Sequence, residues 1–402
     1  MAQQINPPRG MRDFLPVEKA ARDELLGKIL ACYRSFGFQE IETPALENIE
    51  RLTSSDGGDN ESLAFRVLKR GEELEGALGQ GADQLSDLGL RYDLTVPLTR
   101  FYATNQSKLP KVLKAIQTGP VWRAERPQKG RYRQFVQCDI DIIGDDTSLA
   151  EVEILNASLH ALAAVGITTA TIRVNHRELL SRSIQELGVA AKDQSRAMIT
   201  IDKLDKFGID GVCLELKERF NEEVAAKAKT WLSGLVDKQA VPQQLEDVFA
   251  ALEIAHPGKL RFDPTLVRGM GYYTGIIFEI EHPESGSSIG GGGRYDGMVG
   301  KWLGEDVAAV GISLGFERVA DLFTAELSVN KNLVLVFEPS DLQQAIATQA
   351  QAIEAGYQVR LEPKPKKLNT LLDSLKLQGF SSFASLDKPT EGFKGLVIKP
   401  IG

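Results

Sequence analysis

Apolar positions recur at helical spacing in two stretches of the N-terminal half. From Glu18 to Phe36 the residues Leu26, Ile29, Tyr33 and Phe36 share one face, and Gly37 stands where a left-handed cap is wanted. The pattern predicts an amphipathic helix. Phe38 to Ile41 then reads as extended, and Thr43-Pro44 closes it, because the residue before proline is pushed out of the α region. A second helix is expected after Thr147, with Ser148 and Glu151 spaced as a capping box. Val152, Leu155, Leu159 and Leu162 form its apolar stripe and Gly166 ends it. Ala115–Thr118, Val136–Ile143 and Ile276–Ile280 read as strands. Helices mixed with strands out of strict alternation predict an α+β fold rather than a doubly wound sheet.

Residues from about 175 to 262 are mostly helical in pattern and charged, and read as an inserted subdomain. From Lys331 the texture changes. Asn332–Glu338 is an apolar strand, Ser340 to Gln343 opens a helix bearing Leu342, Ile346 and Ile353, and Gly356 stops it. Tyr357–Leu361, Lys366–Gln378 and Phe380–Ser385 continue as strand, helix and strand. This βαβαβ order predicts a small parallel-type α/β domain, with a boundary near 325–331.

At 402 residues the chain is long enough for more than one core. No apolar run approaches the roughly 18 residues that a membrane span needs, and the first residues carry no secretory h-region. Three scattered cysteines make disulfides and a zinc site unexpected, so a reducing cytoplasm is expected. The net charge of −8 argues mildly against nonspecific nucleic-acid binding, yet leaves room for a local basic groove.

Polar chemistry concentrates in a few segments. Val121 to Asp141 reads as strand, loop and strand, with Phe135, Gln137, Asp139 and Asp141 alternating onto one face. A sheet face carrying Arg123, Glu125, Gln137 and Asp141 suits an anion beside a polar ligand, with arginine for a phosphate and carboxylates for an amine. A solvated edge hairpin with cross-strand ion pairs is the alternative. Arg268 to Glu279 sets glycines around Tyr272 and Tyr273, and either a close approach to something small or a packed β-turn accounts for it. Gly290 to Gly293 are four consecutive glycines, which favours close approach to a ligand. The pattern is neither a Walker A loop nor a dinucleotide fingerprint. Val310 to Val319 reads as a strand turning at Gly315 into a helix that begins with Glu317 and Arg318. In Leu90 to Arg100, Asp93 and Thr95 point the same way on a segment read as extended.

Together, and in this order, these segments resemble the histidyl-tRNA synthetase family of class II aminoacyl-tRNA synthetases, over about residues 7–325 and more loosely to the end. Pro8 to Pro16 is similar to the family's N-terminal signature, Gly37 to Pro44 to class II motif 1, residues 121–141 to motif 2 and 310–319 to motif 3. Arg268 to Gly275 and Gly290 to Asp296 resemble its two histidine-specific signatures. The wording Arg91-Tyr-Asp-Leu-Thr-Val-Pro97 is closer to the eukaryotic-type branch.

The resemblance implies a class II antiparallel sheet flanked by helices over 1–325. It also implies a helical insertion at about 175–262 and a shortened anticodon-binding-like α/β domain over 331–402. It implies ATP-dependent activation of L-histidine to histidyl-adenylate, with transfer to the 3′ end of histidine tRNA, by a cytoplasmic homodimer with no membrane partner. Asp93, Thr95, Gln137, Asp141, Tyr272 and Tyr273 would hold histidine, and Arg123 and Arg268 would grip its carboxylate and the α-phosphate. Phe135 would stack on adenine, Glu125 would bind its edge, Arg318 would hold the γ-phosphate, and Mg2+ would bridge the ATP phosphates. Arg126 and Gln128 would read the tRNA acceptor end. The chain departs from the family at Gly271, where an Asp is usual, at Val136, and in its short C-terminal domain. The regulatory subunit of ATP phosphoribosyltransferase, a non-catalytic histidine sensor, resembles the same core and is the alternative reading. It typically lacks the Arg126-Pro-Gln128 and Arg268-Gly269 wording. A paralogue that serves another acceptor is a third.

Overall fold

A computed structural model of the chain describes residues 5–53, 63–127, 130–235, 240–269, 271–324, 331–386 and 392–402. Two compact units emerge, one comprising residues 1–12 and 27–323, the other 13–26 and 324–402.

In the larger unit, β1 (Gln39–Glu40) begins an eight-stranded sheet. β2 (Leu46–Asn48), β3 (Arg66–Leu68) and β4 (Ser86–Leu90) form a separate sheet in the order β2-β4-β3. The large sheet adds β5 (Leu113–Trp122), β6 (Gln134–Ile143), β7 (Thr171–His176), β8 (Leu260–Phe262), β9 (Ile276–Glu281), β10 (Gly290–Arg294) and β11 (Ala309–Gly315). Its spatial order is β1-β5-β6-β11-β10-β9-β7-β8. Every pairing is antiparallel except β1 with β5 and β7 with β8 at the two edges. The chain is therefore α+β, as its pattern predicts.

Because side chains alternate across a strand, neighbouring cross-strand rows face opposite ways. One row runs Ile116, Ile140, Ile312, Gly292, Phe278, Val174 across six strands, and its side chains are buried to 2 % exposure or less. The helix Ser148–Ala164 packs on β6 and β11. The row one residue along runs Gln117, Asp139, Ser313, Gly291, Glu279, Arg173 on the other face and is polar throughout. The apolar face thus anchors the sheet and frees the polar face for chemistry. Gly292 allows the strands to close: a Cβ there would sit 1.9 Å from the Gly311 carbonyl oxygen.

Among the described residues, five α-helices lie between β7 and β8. Arg177–Glu186, Gln194–Ile201, Leu204–Arg219 and Glu222–Ser233 share a core of Leu180, Ile184, Val212, Leu216, Val224 and Leu232. The fifth, Glu246–Ala255, packs instead on the helix Ser148–Ala164. In the smaller unit β12 (Asn332–Phe337) pairs in parallel with β13 (Gln358–Pro363) and β14 (Ser382–Leu386). The predicted βαβαβ is therefore present, and β15 (Lys399–Pro400) adds an antiparallel edge beside β14.

Several local expectations are corrected. Ser148 and Glu151 do not form a capping box: Thr147 is the N-cap, its hydroxyl accepting from Leu149 N at 3.3 Å. Glu151 is buried and binds Arg294 through both oxygens, at 2.6 and 2.8 Å. Thr95 is not on an extended segment but opens the helix Thr95–Asn105, with Asp93 Oδ1 accepting from Val96 N at 3.1 Å. The carboxylate satisfies an orphan first-turn donor as an N-cap side chain does. Leu342, Ile346 and Ile353 are exposed, and Ala345, Thr348 and Ala352 face the core instead, since small residues let that helix approach its sheet. The four glycines from 290 to 293 are the first four residues of β10.

Candidate functional site

The polar face floors two adjoining cavities, of about 550 and 110 Å3, that share Arg123, Gln137, Arg268, Gly291 and Ser313 in their walls. β5 and β6 are interior strands with ten register pairs, which excludes the edge-hairpin reading. Arg123 and Glu125 lie just past the end of β5 rather than on it.

The smaller cavity is acidic. Asp93, Asp139 and Asp141 line it and are exposed by only 1, 4 and 3 %. Burial is the largest influence on all three, since it penalises the charged form. It raises Asp93 to about 6, against the opposing Val96 N–H and Arg123. It raises Asp141 to about 7, against a hydrogen bond from Tyr295. Asp139 is pushed up well beyond the usual carboxylate range by burial and then by the Asp141 charge. Tyr295 Oη donates to Asp141 Oδ1 at 2.6 Å, and Gln137 Nε2 donates to Ser313 Oγ at 3.0 Å. Tyr272 stacks edge-on against Tyr273 at 4.9 Å and against Tyr295 at 6.1 Å. Four buried atoms in this wall have no hydrogen-bond partner: Asp93 Oδ2, Gln137 Oε1, Asp139 Oδ1 and Arg268 Nε. Buried polar atoms are normally paired, so a set of orphans around one cavity marks where a polar ligand completes the structure.

The larger cavity is basic where it meets the smaller. Arg123 donates from Nε to Tyr92 O at 3.0 Å and lies over the Phe135 ring at 5.0 Å. Arg268 donates to Glu279 Oε2 at 2.8 Å; burial works against its charge, but Tyr273 and Glu279 outweigh it and raise its pKa. Arg318 donates to the Ser288 carbonyl, and burial, then the neighbouring Arg131 charge, lowers its pKa. A phosphate would relieve both costs. Glu125 faces the same space, 3.7 Å from Arg131. Glu317, at the start of the helix Phe316–Leu322, binds Arg12 at 2.6 Å and so ties the Pro8-Arg-Gly-Met-Arg12 segment to this wall.

Asp93, Thr95, Gln137, Asp141, Tyr272 and Tyr273 thus all border the smaller cavity, and Arg123, Glu125, Phe135, Arg268 and Arg318 the larger. Arg126 is exposed and borders neither, and Gln128 lies outside the described residues. Sequence reasoning missed Tyr295, Ser313, Asp139 and Glu279 as members of the site. Asp139 was detectable, since it alternates onto the face of Gln137 and Asp141. Tyr295 acts across 154 positions, and no local pattern carries that.

Comparison with known proteins follows from this geometry. Residues 10–319 match the family model described as histidyl-tRNA synthetase. A histidine–tRNA ligase of Leifsonia xyli subsp. xyli is 48% identical over 432 aligned positions, covering 100% of this chain and 99% of the relative. A probable histidine–tRNA ligase of Tropheryma whipplei is 42% identical, covering 99% of each. A crystal structure of histidyl-tRNA synthetase from a Nostoc species superposes with a TM-score of 0.76 at 25% identity, over 99% of this chain and 97% of that one. A structure from Bacillus halodurans described as an ATP phosphoribosyltransferase regulatory subunit/histidyl-tRNA synthetase gives 0.75 at 21% identity, over 93% and 97%, which shows the fold.

The raised carboxylates make a stability prediction. A folded pKa of about 7 for Asp141 means that the stability of its neutral form is lost as pH rises from the unfolded value through 7. In the ligand-free protein, Asp141→Asn should therefore gain stability over wild type as pH rises from about 4 to about 7, by up to ~1.4 kcal/mol per unit, and then level off. Urea denaturation of both proteins at several pH values measures this; a constant difference would refute the buried acidic state.

Proposed function

The chain belongs to the histidyl-tRNA synthetase family, and on that premise we propose how its two cavities divide the work of the enzyme. The protein is an ATP-dependent histidine–tRNA ligase: it activates L-histidine to histidyl-adenylate and transfers the histidyl group to histidine tRNA. The observation that carries the site assignment is the orphaned, acidic inner cavity opening onto an arginine-lined outer one.

In this reading histidine occupies the inner cavity. Asp93 takes its α-ammonium, with Thr95 and Gln137 beside it, and Asp141, Tyr272 and Tyr273 satisfy the imidazole nitrogens. Because Asp93 and Asp141 sit near 6 and 7, an arriving cation draws them into the charged form they otherwise resist. The histidine carboxylate points to the outer cavity, where Arg123 and Arg268 hold it against the α-phosphate. A carboxylate oxygen attacks phosphorus, and the bond to the pyrophosphate oxygen breaks. Arg268 meets the charge that grows on the pentacovalent centre. Phe135 offers its ring to adenine, Glu125 its edge contact, and Arg318 the far phosphate. In the second step the tRNA 3′ hydroxyl attacks the carbonyl and AMP leaves.

The described residues include no group of three or more His, Cys, Asp or Glu able to hold a metal. Mg2+ would neutralise charge at the ATP phosphates, where one or two carboxylates commonly suffice beside the nucleotide, and no residue of this chain is assigned to it. We further propose that the smaller unit is an anticodon-binding-like domain and that the enzyme works in the cytoplasm. No described helix is long and apolar enough to cross a membrane. A regulatory-subunit reading is not favoured, since relatives at 42 and 48% identity over essentially the whole chain are ligases or probable ligases.

Three outcomes test the proposal. Arg268→Ala should slow histidine-dependent ATP–pyrophosphate exchange by ~10²–10³, equivalent to about 3–4 kcal/mol of lost transition-state stabilisation, with histidine binding less affected. Exchange within a few-fold of wild type would remove Arg268 from the chemistry. Arg126 projects beyond both cavities, so Arg126→Ala should leave exchange nearly intact and cut tRNA charging by roughly tenfold or more, the value of one lost base contact of ~1–3 kcal/mol. Equal losses in both half-reactions would place it in the adenylate site instead. Finally, the class II motif 1-like segment ending at Pro44 supports a homodimer, whose obligate interface would bury more than ~2,000 Å2. Light scattering should give twice 44.0 kDa at micromolar concentration, and a monomer would overturn it.

A further inference from the structure

Arg268 is not carried on a strand. It enters the site from the segment after β8 and must be held in place by its surroundings. The guanidinium lies against the backbone of Gly291: a Cβ built there would sit 2.6 to 2.9 Å from its Nη1, Cζ and Nη2. At the side, Nη1 is fixed by Glu279 Oε2 at 2.8 Å, while Nε is left without a partner beside the inner cavity. Glu279 is the direct register partner of Gly291 on one side and of Arg173 on the other. Arg173 Nη1 stands 3.7 Å from Glu279 Oε1. Arg173 is itself clamped, with Nε and Nη2 each 2.7 Å from Asp263 Oδ2. Both members of that last pair are 9 % exposed. The order of charges, Asp263, Arg173, Glu279, Arg268, alternates in sign from the sheet edge to the cavity.

We propose that Glu279, backed by Arg173, is the positioning residue for Arg268: with the Gly291 backbone as floor, it fixes the arginine so that its free edge faces the reacting phosphate. This rests on the role given to Arg268 above and deepens it. The physical reason is pre-organisation. An unrestrained arginine has several rotatable bonds and loses that freedom when it grips a developing charge. An arginine already held by a carboxylate and a flat backbone has lost it on folding. Glu279 also makes burial of the guanidinium tolerable in the ligand-free enzyme, so the cation is present before ATP arrives. The Gly291 position explains why a glycine is needed at that point of β10 independently of strand packing. Glu279 touches no substrate in this scheme; it acts through Arg268.

The test is kinetic, on the full-length enzyme, with ATP–pyrophosphate exchange as the readout. Glu279→Gln keeps shape and an acceptor oxygen but loses the charge, and Glu279→Ala loses both. A misplacement of about an ångström costs up to ~10²-fold in rate, so kcat should fall about tenfold in the Gln variant and about a hundredfold in the Ala variant. KM for histidine and for ATP should stay within about threefold, because binding groups are untouched. The decisive arm is the double variant. In an Arg268→Ala background, Glu279→Ala should cost little further, since residues that act as one unit are non-additive. Glu153→Gln is the control: Glu153 pairs with Lys114 at 2.5 Å, neither residue borders a cavity or touches the Asp263, Arg173, Glu279, Arg268 series, and its loss should leave kcat unchanged. Gly291→Ala, with Glu279 intact, should show the same selective loss of kcat if its fold is retained by circular dichroism. Wild-type kcat in Glu279→Gln and Glu279→Ala, a loss confined to KM, or an equal loss with and without Arg268 each overturns the positioning role. If Arg268→Ala itself exchanges normally while Glu279→Ala does not, the assignment of Arg268 fails and Glu279 acts by another route.

Discussion

The site depends on register. A single cross-strand row, Gln117, Asp139, Ser313, Gly291, Glu279, Arg173, is drawn from six strands; Ser313 and Gly291 line both cavities, Asp139 the smaller, Glu279 and Arg173 the larger, and the row beside it is the apolar one that anchors the sheet. With a side-chain period of two, slipping β6, β9 or β7 by a residue would exchange Asp139, Glu279 or Arg173 for an apolar neighbour. The ten pairs between β5 and β6 and the seven between β6 and β11 hold that choice fixed. The same register puts residues without side chains where charged groups need room. A Cβ at Gly311, opposite Asp141, would lie 1.9 Å from the Asp141 carboxylate.

Charge divides between the two cavities. The carboxylates Asp93, Asp139 and Asp141 crowd the inner cavity, Arg123 and Arg268 stand at its junction with the outer one, and Arg318 lies in the outer one alone. Interleaving the two sets would have produced buried ion pairs, more stable and catalytically idle. Keeping them apart costs stability, seen in the upward push on the acids and the orphaned atoms, and that cost is reversed only when ligands of complementary charge arrive. Stability is given up where selectivity is required. A pocket whose polar groups are unpaired without the right partner rejects an analogue that lacks the matching groups more strongly than an apolar pocket can.

Much of this was legible in the chain, and the limits of legibility are physical. Period-two alternation exposed the Phe135, Gln137, Asp139, Asp141 face, and glycine-ended helical stripes gave the helices Pro16–Ser35 and Ser148–Ala164. The α/β order after Lys331 could be read because each element there is local. What failed was non-local. Glu151 looked like a capping partner three residues from Ser148, but Arg294, 143 positions away, claims it with two bonds. Leu342, Ile346 and Ile353 looked like a core stripe, but the smaller Ala345, Thr348 and Ala352 face the sheet instead. Asp93 looked like a strand residue because its helix starts with Thr-Val-Pro, weak helix formers, and only the bond from Val96 N to its carboxylate shows that the helix has begun. Tyr295 was hidden behind four glycines whose strand character is set by neighbours 18 or more positions further on.

The outer cavity also separates a ligase from a histidine sensor on physical grounds. With histidine assigned to the inner cavity as proposed, a sensor would need that cavity alone. An additional chamber of about 550 Å3 walled by arginines would serve it no purpose, and Arg318, whose pKa burial and then the Arg131 charge lower, would be a standing destabilisation. Selection for stability alone would replace them with apolar residues of similar volume, a change that is often neutral or favourable at buried ionic sites. Their retention, together with an arginine held flat on a glycine strand at the junction of the cavities, is accounted for when a triphosphate occupies the space and one of its bonds is broken there.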